Sequence, residues 1–195
     1  DSDDDGTTTL AVNGSTLTSG GSVTLSGGGT GTNDTIDINF DVTAASLTIQ
    51  KAKLVSLANG VDLKATTSSL TLGSTLGSVN VEGDASIKAQ GSTSDVTIST
   101  NIIKDSGATA TLTVEADRSI IMNNSADIDA TGGANALNVV LNSDKDADGT
   151  VGGAIVMNSG SSITSNDGKI IIGGGATPAT GYAVGTATNV TGVLL

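Results

Sequence analysis

The fold class this sequence predicts is an all-β solenoid, a parallel β-helix of about 20–25 residues per coil. Three observations predict it. Apolar and polar residues alternate in short runs, Gly, Asn, Asp and Ser separate those runs, and the runs resemble one another along the chain. From the N-terminus the strand-like runs are SVTL (22–25), TIDINFDV (35–42), SLTIQ (46–50) and VDLKA (61–65). SVNVE (78–82), DVTIS (95–99), ATLTVEA (110–116) and ALNVVLN (136–142) follow. Period-2 alternation puts one set of side chains on each side of a pleated strand. No stretch carries a capped helical stripe.

Self-similarity separates a solenoid from a β-sandwich, whose strands need not resemble each other. SIIMNNSADIDATGG (119–133) aligns without a gap onto AIVMNSGSSITSNDG (154–168) and onto SVNVEGDASIKAQGS (78–92). That alignment superposes Ile120, Ile155 and Val79, then Met122, Met157 and Val81, then Ile128, Ile163 and Ile87. It also matches Leu137 and Val139 with Val96 and Ile98, and, through LVSLANGVDLKATTS (54–68), Leu63 and Ala65 with Ile87 and Ala89. A longer repeat matches 1–29 to 144–175, so residues 143–153 read as an insertion between strands otherwise one coil apart. About eight coils at about 4.8 Å per rung would make a rod on the order of 40 Å long.

Composition narrows the function classes. The 195 residues, 18.9 kDa, fit a single solenoid segment (1–195), expected to be part of a longer array with no caps visible. Apolar residues reach 36% but aromatics only 1%, Phe40 and Tyr182, so the core must rest on aliphatics. A net charge of −12 argues against nucleic acid and favours cations. No run approaches the length of a membrane-spanning helix, so no membrane insertion is expected. Without His or Cys, imidazole and thiolate catalysis and imidazole-bound zinc are excluded.

Other chemistries fare little better. A polysaccharide-cleaving site would need paired carboxylates and aromatic platforms, and Arg118 in EADRS reads instead as a surface residue paired with Glu115 and Asp117. The expectation is that the protein is not an enzyme. The GGG runs at 27–29 and 173–175 read as corners between coils, and GGTGTNDTI (28–36) as a turn rather than a lone calcium nonapeptide. Thr109, Thr111 and Thr113, or Thr16 and Thr18, suggest a flat ice-binding face, but their equivalents drift to Ser, Asn, Asp and Lys.

One motif carries candidate chemistry. In SDKDADGTVGGAI (143–155), Asp144, Asp146 and Asp148 alternate and Gly149 follows; Asp1, Asp3, Asp5 and Gly6 repeat the arrangement. Oxygen ligands at alternate positions of a turning loop converge on one centre and suit Ca2+, with the Thr150 carbonyl as a further ligand. The acid an EF-hand carries at position twelve is missing, because Ile155 stands there. Waters, backbone oxygens or an acid from a neighbouring coil would complete a structural calcium site. The competing reading is a solvated turn.

The segment 111–175, above all LNVVLNSDKDADGTVGGAI and SITSNDGKIIIGGG, together with the closing GTATNVTGVLL (185–195), resembles the haemagglutination-type repeats of filamentous haemagglutinin-like exoproteins, bacterial adhesins exported by two-partner secretion. The resemblance covers about the last 85 residues and, faintly, 1–29. It implies a right-handed parallel β-helix at the extracellular face of a bacterium, acting as a shaft in attachment, aggregation or biofilm formation. The implied partners are neighbouring coils and, through other parts of such a protein, a host or neighbouring cell surface. The alternative is a small secreted subunit that joins identical subunits end to end into a filament.

Overall fold

A computed structural model describes residues 9–28, 33–133, 135–148 and 151–195. The described residues contain strands and no helix. The first rung holds β1 (Thr9–Val12), β2 (Leu17–Thr18) and β3 (Ser22–Ser26). Next come β4 (Thr35–Ile38), β5 (Val42–Ala44) and β6 (Ser46–Gln50), then β7 (Leu54–Leu57), β8 (Val61–Ala65) and β9 (Leu70–Leu72). The fourth rung is β10 (Ser78–Val81), β11 (Ala85–Ala89) and β12 (Val96–Ile98). The fifth is β13 (Asn101–Ile103), β14 (Ala110–Ala116) and β15 (Ile120–Met122). The sixth is β16 (Ile128–Asp129), β17 (Leu137–Ser143) and β18 (Ile155–Met157), and the seventh β19 (Ile163–Thr164), β20 (Ile170–Gly174) and β21 (Val193–Leu194).

Every third strand pairs in parallel, giving three seven-stranded sheets: face A from β1 to β19, face B from β2 to β20 and face C from β3 to β21. This is a parallel β-solenoid. Its seven rungs, against the eight expected, make a stack about 30 Å long at about 4.8 Å per step. Coil length varies more than the expected range. The chain advances 19 residues from Thr35 to its partner Leu54 and 35 from Ile128 to its partner Ile163.

Aliphatic columns fill the tube. On face B, Val42, Leu63, Ile87, Val114 and Leu141 stack in register, and on face C Leu47, Leu70, Val96, Ile120 and Ile155 do so. All ten are fully buried, each stabilising the fold by about 1.5–3 kcal/mol relative to exposure. A second face-B column, Ala44, Ala65, Ala89 and Ala116, keeps the wall close where large side chains would collide.

The polar residues that dominate the composition join the rungs. Entering face B, Asp41 Oδ1 accepts the Asp62 amide (2.9 Å), Asp84 Oδ1 the Thr111 amide (2.7 Å) and Asn138 Oδ1 the Lys169 amide (2.9 Å). Entering face C, Ser69 Oγ accepts the Asp95 amide (3.2 Å), Asp95 Oδ1 the Ser119 amide (2.9 Å) and Ser119 Oγ the Ala154 amide (3.2 Å). A corner side chain thus takes an amide of the next coil that turning would leave unpaired, a net gain of about 0.5–1.5 kcal/mol each. The corner after β13 uses a lysine instead. Lys104 is 1% exposed, and its Nζ donates to the Ser106 carbonyl (2.7 Å) and to the Val81 carbonyl (3.4 Å).

Several repeat alignments have the right period but the wrong phase. Ile120 stacks on Ile155, Met122 on Met157 and Ile128 on Ile163, as expected, and Leu63 and Ala65 on Ile87 and Ala89. Val79 does not join them. It lies on face A between Val55 and Ile102, while Ile87 lies on face B. Leu137 and Val139 stack on Ala110 and Leu112, not on Val96 and Ile98. The long 1–29 to 144–175 match is displaced likewise, since β1 lies on face A and β18 on face C. The three faces carry near-identical strand–corner–strand patterns, so an ungapped match scores equally well one third of a turn out of phase. The second GGG run is a corner only at Gly175 (φ +74°): Gly173 and Gly174 end β20, paired with Asn142 and Ser143.

Candidate cation site at the inserted corner

Faces B and C meet at residues 117–119 in the fifth rung, but the same corner spans 144–154 in the sixth. The insertion therefore joins two consecutive strands of one coil, β17 and β18, and not strands a coil apart. Its local fold follows from three left-handed residues, Asp144 (φ +51°), Ala147 (φ +49°) and Gly152 (φ +67°). Aspartate tolerates that region; alanine is strained in it. The Asp144 amide donates to the Arg118 carbonyl (3.1 Å), the Lys145 amide to the Ala116 carbonyl (3.1 Å) and the Ala147 amide back to the Asp144 carbonyl (3.0 Å).

The loop's return is set by Gly153. A Cβ there would run into the Arg118 carbonyl and the Asp144 amide, so only glycine lets the chain pass this close. The Gly153 carbonyl accepts from Ser143 Oγ (3.0 Å), and its amide donates to the Val184 carbonyl (2.7 Å) in an antiparallel bridge. Residues 178–184 thus run across the end of β20 and the insertion together.

This path brings the three predicted aspartates together. One carboxylate oxygen each of Asp144, Asp146 and Asp148 lies within 4.8 Å of the others. Asp146 and Asp148 are exposed, but Asp144 is only 6% exposed. Its Oδ1 is buried and meets no hydrogen-bond donor of the chain. Burial pushes the Asp144 carboxyl up from its ordinary pKa, and the charges of Asp146, Asp148 and Asp117 push it further. Burial and then Asp117 and Asp148 raise Asp146 in the same way, with backbone amides offsetting a part.

Asp117 was not among the predicted ligands. It comes from the fifth-rung corner directly beneath and spends Oδ2 on the Gly91 amide (2.6 Å). The nearby cations are engaged elsewhere. Arg118 does not pair with Glu115 and Asp117 as expected. Its Nε donates to Asp95 Oδ1 (2.7 Å) and its Nη2 to Asp95 Oδ2, which holds the guanidinium above its ordinary pKa. Lys145 reaches Glu115 instead (3.4 Å). The other predicted ligands, Asp1, Asp3, Asp5 and Thr150, lie outside the described residues.

A second surface is also a product of register. Thr24, Thr48, Thr71 and Thr97 stack on the outside of face C before the column turns aliphatic at Ile121 and Val156. The threonines singled out in the sequence do drift, Thr113 standing beside Ser86 and Val140.

No family model, curated protein or solved structure matches the chain.

Proposed function

We propose that this chain is a stiff spacer, a shaft segment of an extracellular bacterial adhesin or surface fibre that holds a binding part away from the cell. The observation that carries the reading is the unbroken in-register stacking of seven rungs on all three faces. Such a stack gives length and bending stiffness per residue that a globular domain does not. The acidic surface, net −12, suits a calcium-containing exterior. The likeness of 111–175 to haemagglutinin-type repeats supports the location.

The second reading, an end-to-end filament subunit, draws on the seventh rung. There Ile163, Ile170, Ile172 and Leu195, with Met157 of the sixth rung, line an apolar hollow of about 440 Å³, and exposed strand edges are templates for further pairing. The intact mass of the native polypeptide, isolated from its source under denaturing conditions, separates the two. Hundreds of kilodaltons support the shaft. A mass near the 18.9 kDa of this chain overturns it in favour of the filament. A saturable glycan affinity of the isolated chain would also sink the spacer reading and make it a binding module.

A further inference from the structure

We propose that Asp144, Asp146 and Asp148 of the inserted corner, joined by Asp117 of the rung beneath, hold one divalent cation, and that the ion is calcium. The proposal goes beyond the spacer reading and does not depend on it.

The geometry separates the site from a solvated turn. In a solvated turn the aspartates face water, as Asp146 and Asp148 do. Asp144 instead buries a carboxylate oxygen, Oδ1, that meets no donor of the chain, and one oxygen of the same carboxylate lies within 4.8 Å of oxygens of Asp146 and Asp148. An uncompensated buried carboxylate is among the costliest groups a fold can carry. Hydrogen bonding does not account for it and neither does an ion pair, because Arg118 is taken by Asp95 and Lys145 by Glu115. A cation bound among the carboxylates would.

All-oxygen donors call for a hard cation, and the spacing accommodates calcium. Oxygens bound to calcium at about 2.3–2.6 Å stand at most about 4.6–5.2 Å apart across the sphere, which accommodates the observed limit of 4.8 Å. Magnesium, at about 2.0–2.1 Å, requires a tighter and more regular set. The position where an EF-hand carries its closing acid is taken here by Ile155, fully buried in the tube. Asp117 would supply that acid from a different coil: it lies between Ala116 and Arg118, whose carbonyls take the Lys145 and Asp144 amides, and it stands outside the group of three oxygens within 4.8 Å. The ion would thereby clasp the fifth and sixth rungs at the corner where the chain departs furthest from the regular coil.

The test is calorimetric titration of the intact, EDTA-treated and dialysed chain with CaCl2, and separately with MgCl2, alongside its melting temperature in each salt. The expected result is one saturable calcium site, weaker binding of magnesium, and a melting temperature that rises with CaCl2. Asp117→Asn and Asp146→Asn should each weaken calcium on the order of tenfold or more, since affinity follows ligand charge. Asp105→Asn, at an exposed corner on another face, should leave it unchanged. Should Asp146→Asn lose its β-sheet circular dichroism, Asp148→Asn carries the comparison. Absence of both saturable heat and a melting shift up to about 10 mM CaCl2, above the range of weak extracellular sites, overturns the site. Wild-type affinity in Asp117→Asn removes the neighbouring-rung ligand, and equal weakening by Asp105→Asn reduces the effect to bulk charge.

Discussion

At the residue scale the inserted corner combines permissive, strained and obligatory positions. Ala147 holds φ +49° without the tolerance of Asp or Gly. Replacing it by glycine should raise stability by about 1 kcal/mol, because the left-handed penalty of about 1–2 kcal/mol exceeds the added chain entropy of glycine; urea denaturation reads the change. Gly153→Ala should do the opposite, since the new Cβ has only backbone to displace. A loss of about 2 kcal/mol or more is expected, in the range of overpacking, and an unchanged denaturation midpoint would refute the close passage.

At the element scale stability comes from neighbouring rungs, and Asp95 is the clearest instance. Its carboxylate accepts from Arg118 Nε and Nη2 and from the Ser119 amide, while its own amide donates to Ser69 Oγ. Three successive rungs therefore meet at one residue, whose side chain is 13% exposed, whereas the Arg118 side chain is 35% exposed. Asp95→Ala should cost about 2 kcal/mol, below the value for a fully buried pair because water still reaches the guanidinium. Asp95→Asn should fall between, keeping one acceptor and losing the charge. Equal stability of all three proteins would show that the pair is incidental.

At the whole-molecule scale a nearest-neighbour stack makes the cost of a truncation depend on its height in the column. Ile98, in the fourth rung, is fully buried with a strand on each side, while Ile170, in the seventh, is 43% exposed. Ile98→Ala should cost about 3 kcal/mol or more and Ile170→Ala under about 1 kcal/mol. Denaturant titrations of the two variants check the ratio, and similar losses would mean that the seventh rung is as enclosed as the fourth.

Class and strand content were legible in the chain itself. SLTIQ, VDLKA and ATLTVEA are strands over their full predicted ranges, as β6, β8 and β14. Alternation of branched aliphatics with small polar residues is a local property that any parallel stack must satisfy, so it shows in the sequence. The three aspartates of 144–148 were also visible, because alternate spacing within one loop is enough to make their oxygens converge. Phase was not visible: whether Val79 faces Ile120 or Ile102 depends on which corner each strand follows, and the three corners look alike. For the same reason only the tertiary structure placed Asp95 under Arg118 and Asp117 under the acidic loop, residues more than twenty positions apart in each case. It also decided that Lys104 and Asp144 are buried, since burial at a corner is set by the coil above and below it. Local pattern determined what each coil is made of; stacking, which brings distant residues into register, determined which side chains share a site.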